Sequence, residues 1–299
     1  MARKSKGAAL AEYVALRCVC AAVNAIPYAM ACAATRCAAW ALVNVFRFKA
    51  RRTLGRIRRC FPDMDGAEAR RVAVDSLANV MMNAVEMSRA PRLDRRWIDR
   101  HVRDVKVYAD RLKAVAAEGK GVVIMVPHSG NWYMAAWAMA RCGVPIFAVA
   151  AKQRNPYVDA WMNRLYGEGL EVVERGSVRV MAEIKSRLAN GGCFAILPDL
   201  RVPVKDVQVP FLNGTANVSH GGASFATASG SPVVVAVMRR EGGRHVFEHL
   251  ATLRPDPSKG RKEEAVRMTR EAMALIDDAV KKSPGNWFWY NKRWILEPV

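Results

Sequence analysis

From residue 121 to residue 280, short β-branched runs alternate with segments whose apolar residues repeat at helical spacing. Val122–Val126 and Ile146–Ala150 are runs of strand length, and Trp132–Arg141 between them has a helical pattern. Strands joined through helices pair in parallel, because the helix provides the crossover. The chain is therefore predicted to be α/β, with a largely parallel central sheet flanked by helices. Further strands are predicted at 170–173, 193–197, 233–238 and 245–252, and further helices at 158–166, 178–188, 221–228 and 263–280.

The first 60 residues combine an apolar stretch with a strong positive charge. They hold twelve of the 47 Lys and Arg residues and a single acid, Glu12, in a chain of net charge +20. Residues 18–35 carry no charge, which approaches the roughly 20 apolar residues that a spanning helix needs. Basic residues beside an apolar helix favour an anionic membrane over nucleic acid. We predict a membrane-anchoring helical segment over 1–48 and an α/β domain over 49–299.

The anchor has alternatives. Asn24, Pro27 and Arg36 weaken a membrane span, so the segment either spans, lies in the interface, or is a buried helix of a soluble core. Residues 47–59 are predicted to be a basic linker. Asp65 and Glu68 form a capping-box pattern, and the helix that they begin is expected to run to about Ser88.

A histidine follows the first strand of the α/β region. The segment reads Val126-Pro-His-Ser-Gly-Asn-Trp-Tyr133, so His128 lies between a buried strand and the start of a helix. Ligands of open α/β sheets bind beyond the carboxyl ends of the strands. An imidazole there is placed to take a proton from an attacking hydroxyl, although a structural histidine is the alternative. Ser129 or Asn131 is expected to cap the helix.

The chain resembles the bacterial lipid A biosynthesis (lauroyl/myristoyl) acyltransferases, within the wider lysophospholipid acyltransferase superfamily. The resemblance rests on the order and spacing of several pieces, beginning with the apolar N-terminal segment and the basic stretch that ends in Arg-Cys-Phe-Pro62. The others are His-Ser-Gly-Asn-Trp132, Asn-Pro-Tyr-Val-Asp159, Leu-Pro-Asp199, Val-Pro-Phe-Leu-Asn-Gly214 and Pro-Gly-Asn-Trp-Phe-Trp-Tyr-Asn-Lys-Arg-Trp294.

The resemblance implies an O-acyltransferase with a glycerolipid-acyltransferase-like fold at the cytoplasmic face of the bacterial inner membrane. The donor would be an acyl carrier protein (or coenzyme A) thioester, and the acceptor a hydroxyl of a glycolipid such as a lipid A precursor. His128 would be the general base, and no metal, cofactor or nucleic acid is implied. The alternative is an inactive relative that binds lipid or assists assembly.

The family places an acidic residue five positions after the histidine, where this chain has Tyr133. Three interpretations follow. Tyr133 orients the imidazole, an acid from elsewhere such as Glu86 or Asp199 replaces the missing one, or catalysis has been lost. The expected substrate-binding residues are Ser129, Gly130, Asn131, Arg154, Arg175, Asp199, Gly214 and Thr215. The aromatic residues of 287–294 suit either core packing or a membrane interface.

Overall fold

We describe a computed structural model of the chain over residues 5–118, 120–166, 170–174, 176 and 179–297. In this part of the chain nine strands form two sheets. They are β1 Val102–Arg103, β2 Val122–Met125, β3 Ile146–Ala150, β4 Glu171–Glu174, β5 Cys193–Ile196, β6 Val207–Phe211, β7 Gly214–Val218, β8 Val233–Glu241 and β9 Arg244–Leu253.

The central sheet has seven strands in the order β1-β9-β8-β2-β5-β3-β4. Its neighbours pair in parallel except for β8 and β9, which form an antiparallel hairpin. The predicted α/β class and largely parallel sheet are confirmed. The antiparallel β9 and the separate β6–β7 hairpin add to that prediction, since tight Gly-containing turns join both pairs.

Helices cover both faces of the sheet, and each of the two faces packs into its own apolar core. The longer helices are α1 Lys6–Ala25, α2 Tyr28–Asn44, α3 Ala50–Cys60, α4 Gly66–Arg89, α6 Val105–Ala116, α7 Trp132–Arg141, α8 Pro156–Tyr166, α9 Val180–Ala189, α10 Gly221–Ser229 and α11 Arg261–Lys282, with a short α5 at Arg95–His101.

The apolar N-terminal stretch forms two helices, because Pro27 begins a new helix after Ala25. α1 is long and apolar enough to cross a membrane, and Ala9 is its one buried residue. It is therefore a possible membrane-associated segment, and its exposure does not fit a buried core helix. α2 packs along α4, with Ala39 and Val43 in the core.

The prediction that 47–59 is a linker was wrong, because residues 50–60 form the amphipathic helix α3. Thr53, Arg56 and Ile57 of α3 are buried, at helical spacing. α4 begins at its predicted cap, where the Asp65 carboxylate accepts a hydrogen bond from the Glu68 N–H at 2.7 Å. It ends at Arg89, one residue beyond the predicted end.

The aromatic C-terminal segment is core. Trp287, Trp289, Tyr290 and Trp294 are each at most 4% exposed. The rings of Trp287 and Trp289 meet edge to face with centroids 4.9 Å apart. The segment therefore forms part of the interior of the domain.

Candidate active site

His128 and Asp199 follow two adjacent parallel strands at matching positions. Met125 of β2 pairs with Ile196 of β5, and each polar residue lies three positions further along its strand's path. Carboxyl ends of parallel strands share one edge of the sheet. The fold therefore brings together two side chains that are 71 positions apart in the sequence.

The Asp199 carboxylate binds His128 twice. Its Oδ1 lies 2.7 Å from the imidazole Nδ1, and its Oδ2 accepts the His128 backbone N–H at 2.8 Å. The indole N–H of Trp287 also donates to Oδ2, at 2.7 Å. With Nδ1–H donating to the carboxylate, the imidazole has its proton-accepting lone pair on Nε2.

The surroundings keep Asp199 ionised. Burial alone would raise the pKa of its carboxyl, but electrostatic attraction to the His128 ring and hydrogen bonds from His128 and Trp287 outweigh burial, so the pKa lies below its ordinary value. A carboxylate held in this state fixes the tautomer of its histidine and stabilises the imidazolium that forms when the histidine accepts a proton.

The C-terminal segment pairs with the turn that carries His128. The Phe288 N–H donates to the His128 carbonyl, and the Gly130 N–H donates to the Asn286 carbonyl, both at 2.9 Å. The Gly130 amide is therefore engaged by this segment. The pairing holds the backbone on both sides of Ser129.

Gly130 meets a local need for glycine. Its φ is +55°, in the left-handed region, and a Cβ atom here would lie 2.5 Å from the Met238 carbonyl oxygen of β8. The next residue, Asn131, caps α7: its side-chain oxygen accepts the Met134 N–H at 2.9 Å. The predicted cap at Asn131 is confirmed.

A second buried carboxylate, Glu86 of α4, holds Asn131 from beneath the turn. Its Oε2 accepts from the Asn131 amide at 2.5 Å, and Arg240 of β8 approaches both carboxylate oxygens, at 2.5 and 3.0 Å. His245 of β9 lies 3.2 Å away, and the Tyr28 hydroxyl donates at 2.6 Å. Glu86 is the other acid that the sequence offered as a replacement, and its contacts are with the cap of α7.

Opposite charges keep Glu86 ionised without solvent. Burial would raise its pKa, but His245 and Arg240, through charge and hydrogen bonds, hold it well below the ordinary range. Asn83, one turn before Glu86 on α4, joins the same cluster: it accepts from Arg240 at 2.9 Å and donates to the Gly130 carbonyl at 2.7 Å. The cluster and Asp199 thus bind different residues of one turn.

A shallow pocket adjoins the pair, with the His128 side chain 16% exposed and Asp199 beneath it. Its other walls come from the C-terminal segment: Trp287, Phe288, Asn291, Arg293, Trp294 and Ile295. Apolar rings and one cation line this pocket beside the imidazole.

The remaining predicted residues spread out from this pocket. Tyr133 lies in the first turn of α7, with its ring 5.6 Å from that of Trp132. Arg154 is exposed in the connection after β3, at the same sheet edge as His128. Gly214 and Thr215 lie in β7 of the hairpin, where Gly214 packs against Leu296. Arg175 lies outside the described residues.

The sequence did not assign Trp287, Asn83 or Arg240 to the site. A signal for the central pair existed, since His128 and Asp199 each come two residues after a predicted strand. We gave three interpretations for the presence of Tyr133 where the family has an acidic residue. The one that matches the observed geometry is that an acid from elsewhere in the chain takes its place. The acid is Asp199, which the sequence placed among the substrate-binding residues.

The chain matches the family model for bacterial lipid A biosynthesis acyltransferases over residues 4–295. Two relatives from strains of Mycobacterium tuberculosis, each a phosphatidylinositol mannoside acyltransferase, are 24% identical over 220 residues, which is 71% of this chain and 66% of theirs. The enzyme of that name from Mycolicibacterium smegmatis is 25% identical over 235 residues, 74% of this chain and 72% of its own. The chain thus spans just under two thirds of the length of the M. tuberculosis relatives.

Proposed function

The chain belongs to the bacterial lipid A biosynthesis acyltransferase family, and from that premise we propose that it transfers a fatty acyl chain from a thioester to a hydroxyl of a glycolipid. The observation that carries this proposal is the 2.7 Å contact between His128 Nδ1 and Asp199 Oδ1. It supplies a carboxylate for the histidine in a chain whose sequence motif lacks one.

The proposed reaction uses the pair as a base and its support. Nε2 of His128 takes the proton of the acceptor hydroxyl as its oxygen attacks the thioester carbonyl carbon. The carbon–sulfur bond then breaks, and the imidazolium returns the proton to the departing thiolate. The ester oxygen comes from the acceptor, and the products are an acylated glycolipid and a free thiol. Asp199 stabilises the imidazolium between the two proton transfers.

The donor and acceptor follow from charge and relatives. A net charge of +20 favours an acidic donor such as acyl carrier protein over a neutral one, and coenzyme A is the other thioester to test. The relatives are named for phosphatidylinositol mannoside, so the acceptors to compare are a mannosylated phospholipid and a phosphorylated lipid A precursor. Both present sugar hydroxyls on a membrane lipid.

We place the protein at the cytoplasmic face of the bacterial inner membrane. α1 leaves Leu10, Val14 and Val19 about half exposed, and an apolar surface of this kind is favourable in lipid and costly in water. Basic residues after the segment outnumber those before it, which favours a cytoplasmic domain.

The test is a transfer assay on the full chain. Purified protein is incubated with acyl carrier protein or coenzyme A thioester and each acceptor, and product is measured by mass spectrometry. Product is expected with the wild type, and His128→Ala should lower its formation at least about 1,000-fold. If the folded wild type forms no product while Tyr133→Glu does, the native chain is a silent lipid-binding relative and the proposal is wrong.

A further inference from the structure

Exposed apolar side chains concentrate in one part of the molecule. Of the twelve large apolar side chains exposed in the described chain, eight lie between residues 10 and 48. The densest group is the turn between α2 and α3, residues 45–49, which we name the aromatic–basic turn. Val45 is 60%, Phe46 73% and Phe48 43% exposed, and Trp40 nearby on α2 is 57% exposed.

Backbone hydrogen bonds define the conformation of the aromatic–basic turn. The N–H groups of Val45 and Phe46 both donate to the Ala41 carbonyl, at 2.9 and 3.0 Å, and the Phe48 N–H donates to Leu42 at 2.7 Å. Arg47 and Lys49 both have φ of +50°, in the left-handed region that non-glycine residues rarely adopt. These hydrogen bonds hold a conformation that leaves Phe46 and Phe48 exposed to water, and the two left-handed residues add backbone strain.

Positive charge surrounds these rings. Residues 13–62 contain no Asp or Glu. Arg47 and Lys49 alternate with the phenylalanines, and the Lys49 ammonium lies 4.8 Å from the Phe48 ring centroid. The exposed face of α3 continues the pattern with Arg51, Arg52, Arg58 and Arg59. Aromatic rings flanked by cations match the boundary between acyl chains and anionic headgroups.

α3 connects this surface to the candidate active site. Arg56 points inward, donates to the carbonyls of Trp289 and Asn291 at 3.0 and 2.7 Å, and pairs with Glu297 at 3.0 Å. Its guanidinium lies 4.6 Å from the Trp294 ring centroid. Trp294 and Asn291 line the pocket beside His128. A surface docked through α3 is therefore fixed relative to the pocket wall.

We propose that the aromatic–basic turn and the exposed face of α3 form a second membrane contact, separate from α1, that inserts Phe46 and Phe48 between anionic lipids. In this contact the two rings, which are exposed to water in the folded protein, become buried among the lipids. The surrounding cations bind the headgroup phosphates. This contact rests on the proposed function, which it deepens by naming a lipid surface for the protein. Vesicle binding is measured without turnover, so a failure of the contact is distinguishable from a failure of the transfer reaction.

The experiment measures binding of the full chain to phosphatidylcholine vesicles with and without phosphatidylglycerol. Phe46→Ser with Phe48→Ser should lower the affinity for anionic vesicles about tenfold or more. Arg51→Gln with Arg52→Gln should lower it about 25-fold, from roughly fivefold per charge. The matched control is Lys259→Gln with Lys262→Gln, which removes two exposed charges from the connection after β9 and the first turn of α11 and should change affinity less than twofold.

Amide hydrogen exchange of the wild type reports on the aromatic–basic turn itself, separately from any membrane binding through α1. Amides of 45–50 should exchange more slowly on anionic than on neutral vesicles. The proposal is overturned if the phenylalanine variant binds anionic vesicles like the wild type, or if the control loses as much vesicle affinity as the arginine variant. It is also overturned if the arginine variant loses salt-sensitive DNA binding while its vesicle binding stays intact. Thermal melting of each variant checks folding. Normal transfer to detergent-dispersed acceptor with reduced transfer on vesicles supports the contact.

Discussion

Asp199 and Glu86 are both buried carboxylates, and both bind the turn that carries His128. Asp199 has the partly exposed His128 as its cation and lies at the pocket wall. Glu86 is bound by Arg240 and His245, whose side chains are 6% and 0% exposed, and its contact within the turn is with Asn131, the cap of α7. The difference separates a carboxylate whose partner reaches solvent at the pocket from one enclosed in protein. The first is suited to chemistry, and the second to holding the turn in place.

The largest expected effect on stability comes from the enclosed carboxylate. Glu86→Gln leaves Arg240 and His245 buried without their anion, which should lower the free energy of unfolding by about 3–5 kcal/mol. Denaturant unfolding measures this loss. Asp99→Asn, which breaks an exposed ion pair with Arg95, is the control and should change little. An equal loss in both variants would mean that the cluster contributes no special stability.

Low pH should remove the contribution of Glu86 to the free energy of unfolding. Its pKa is lowered in the folded state, so the stability that it provides is present above the ordinary glutamate pKa of about 4.3 and is lost as pH falls through the lower folded value. The gap in unfolding free energy between wild type and Glu86→Gln should therefore be constant near neutral pH and narrow in acid. A gap that widens in acid would reverse the assigned sign.

A smaller loss is expected at the glycine of the turn. Gly130→Ala places a Cβ atom against the Met238 carbonyl and requires a left-handed alanine, which should cost about 2 kcal/mol. Because the turn positions His128, transfer should fall along with stability. Gly176→Ala, at another positive φ with open space around it, separates backbone strain from the clash with Met238. Equal losses in the two variants would show that the clash is unimportant.

The smallest effect is expected at the family's usual acid position. Since Asp199 already holds Nδ1 of His128, Tyr133→Phe should change kcat/KM by less than about threefold. Steady-state transfer rates check this. A loss of a hundredfold or more with normal folding would assign the orientation of the imidazole to the Tyr133 hydroxyl instead.

The alternating strands and helices after residue 121 were largely predictable because apolar periodicity is local, whereas β1, α5, α6 and the β6–β7 hairpin were not predicted. Trp132–Arg141 and Ile146–Ala150 match the observed bounds of α7 and β3. The sequence named Glu86 and Asp199 as alternative acids for His128 but could not choose between them, since no local pattern states that β2 and β5 are neighbours. α3 was not predicted because its arginines obscured the helical spacing of Thr53 and Ile57. The partner of Arg56, Glu297, is 241 positions away in the sequence and is brought close only by the fold.

We propose that Asp199 supplies the carboxylate that the motif lacks. The most direct measurement is kcat/KM for acyl transfer by Asp199→Asn relative to the wild type. Asp206→Asn is the matched reference, because Asp206 binds Nδ1 of His220 at 2.5 Å in a pair that does not line the His128 pocket. We expect kcat/KM to fall about 1,000- to 10,000-fold in Asp199→Asn and less than about threefold in Asp206→Asn. If kcat/KM of folded Asp199→Asn protein falls by less than about tenfold, this role of Asp199 is contradicted.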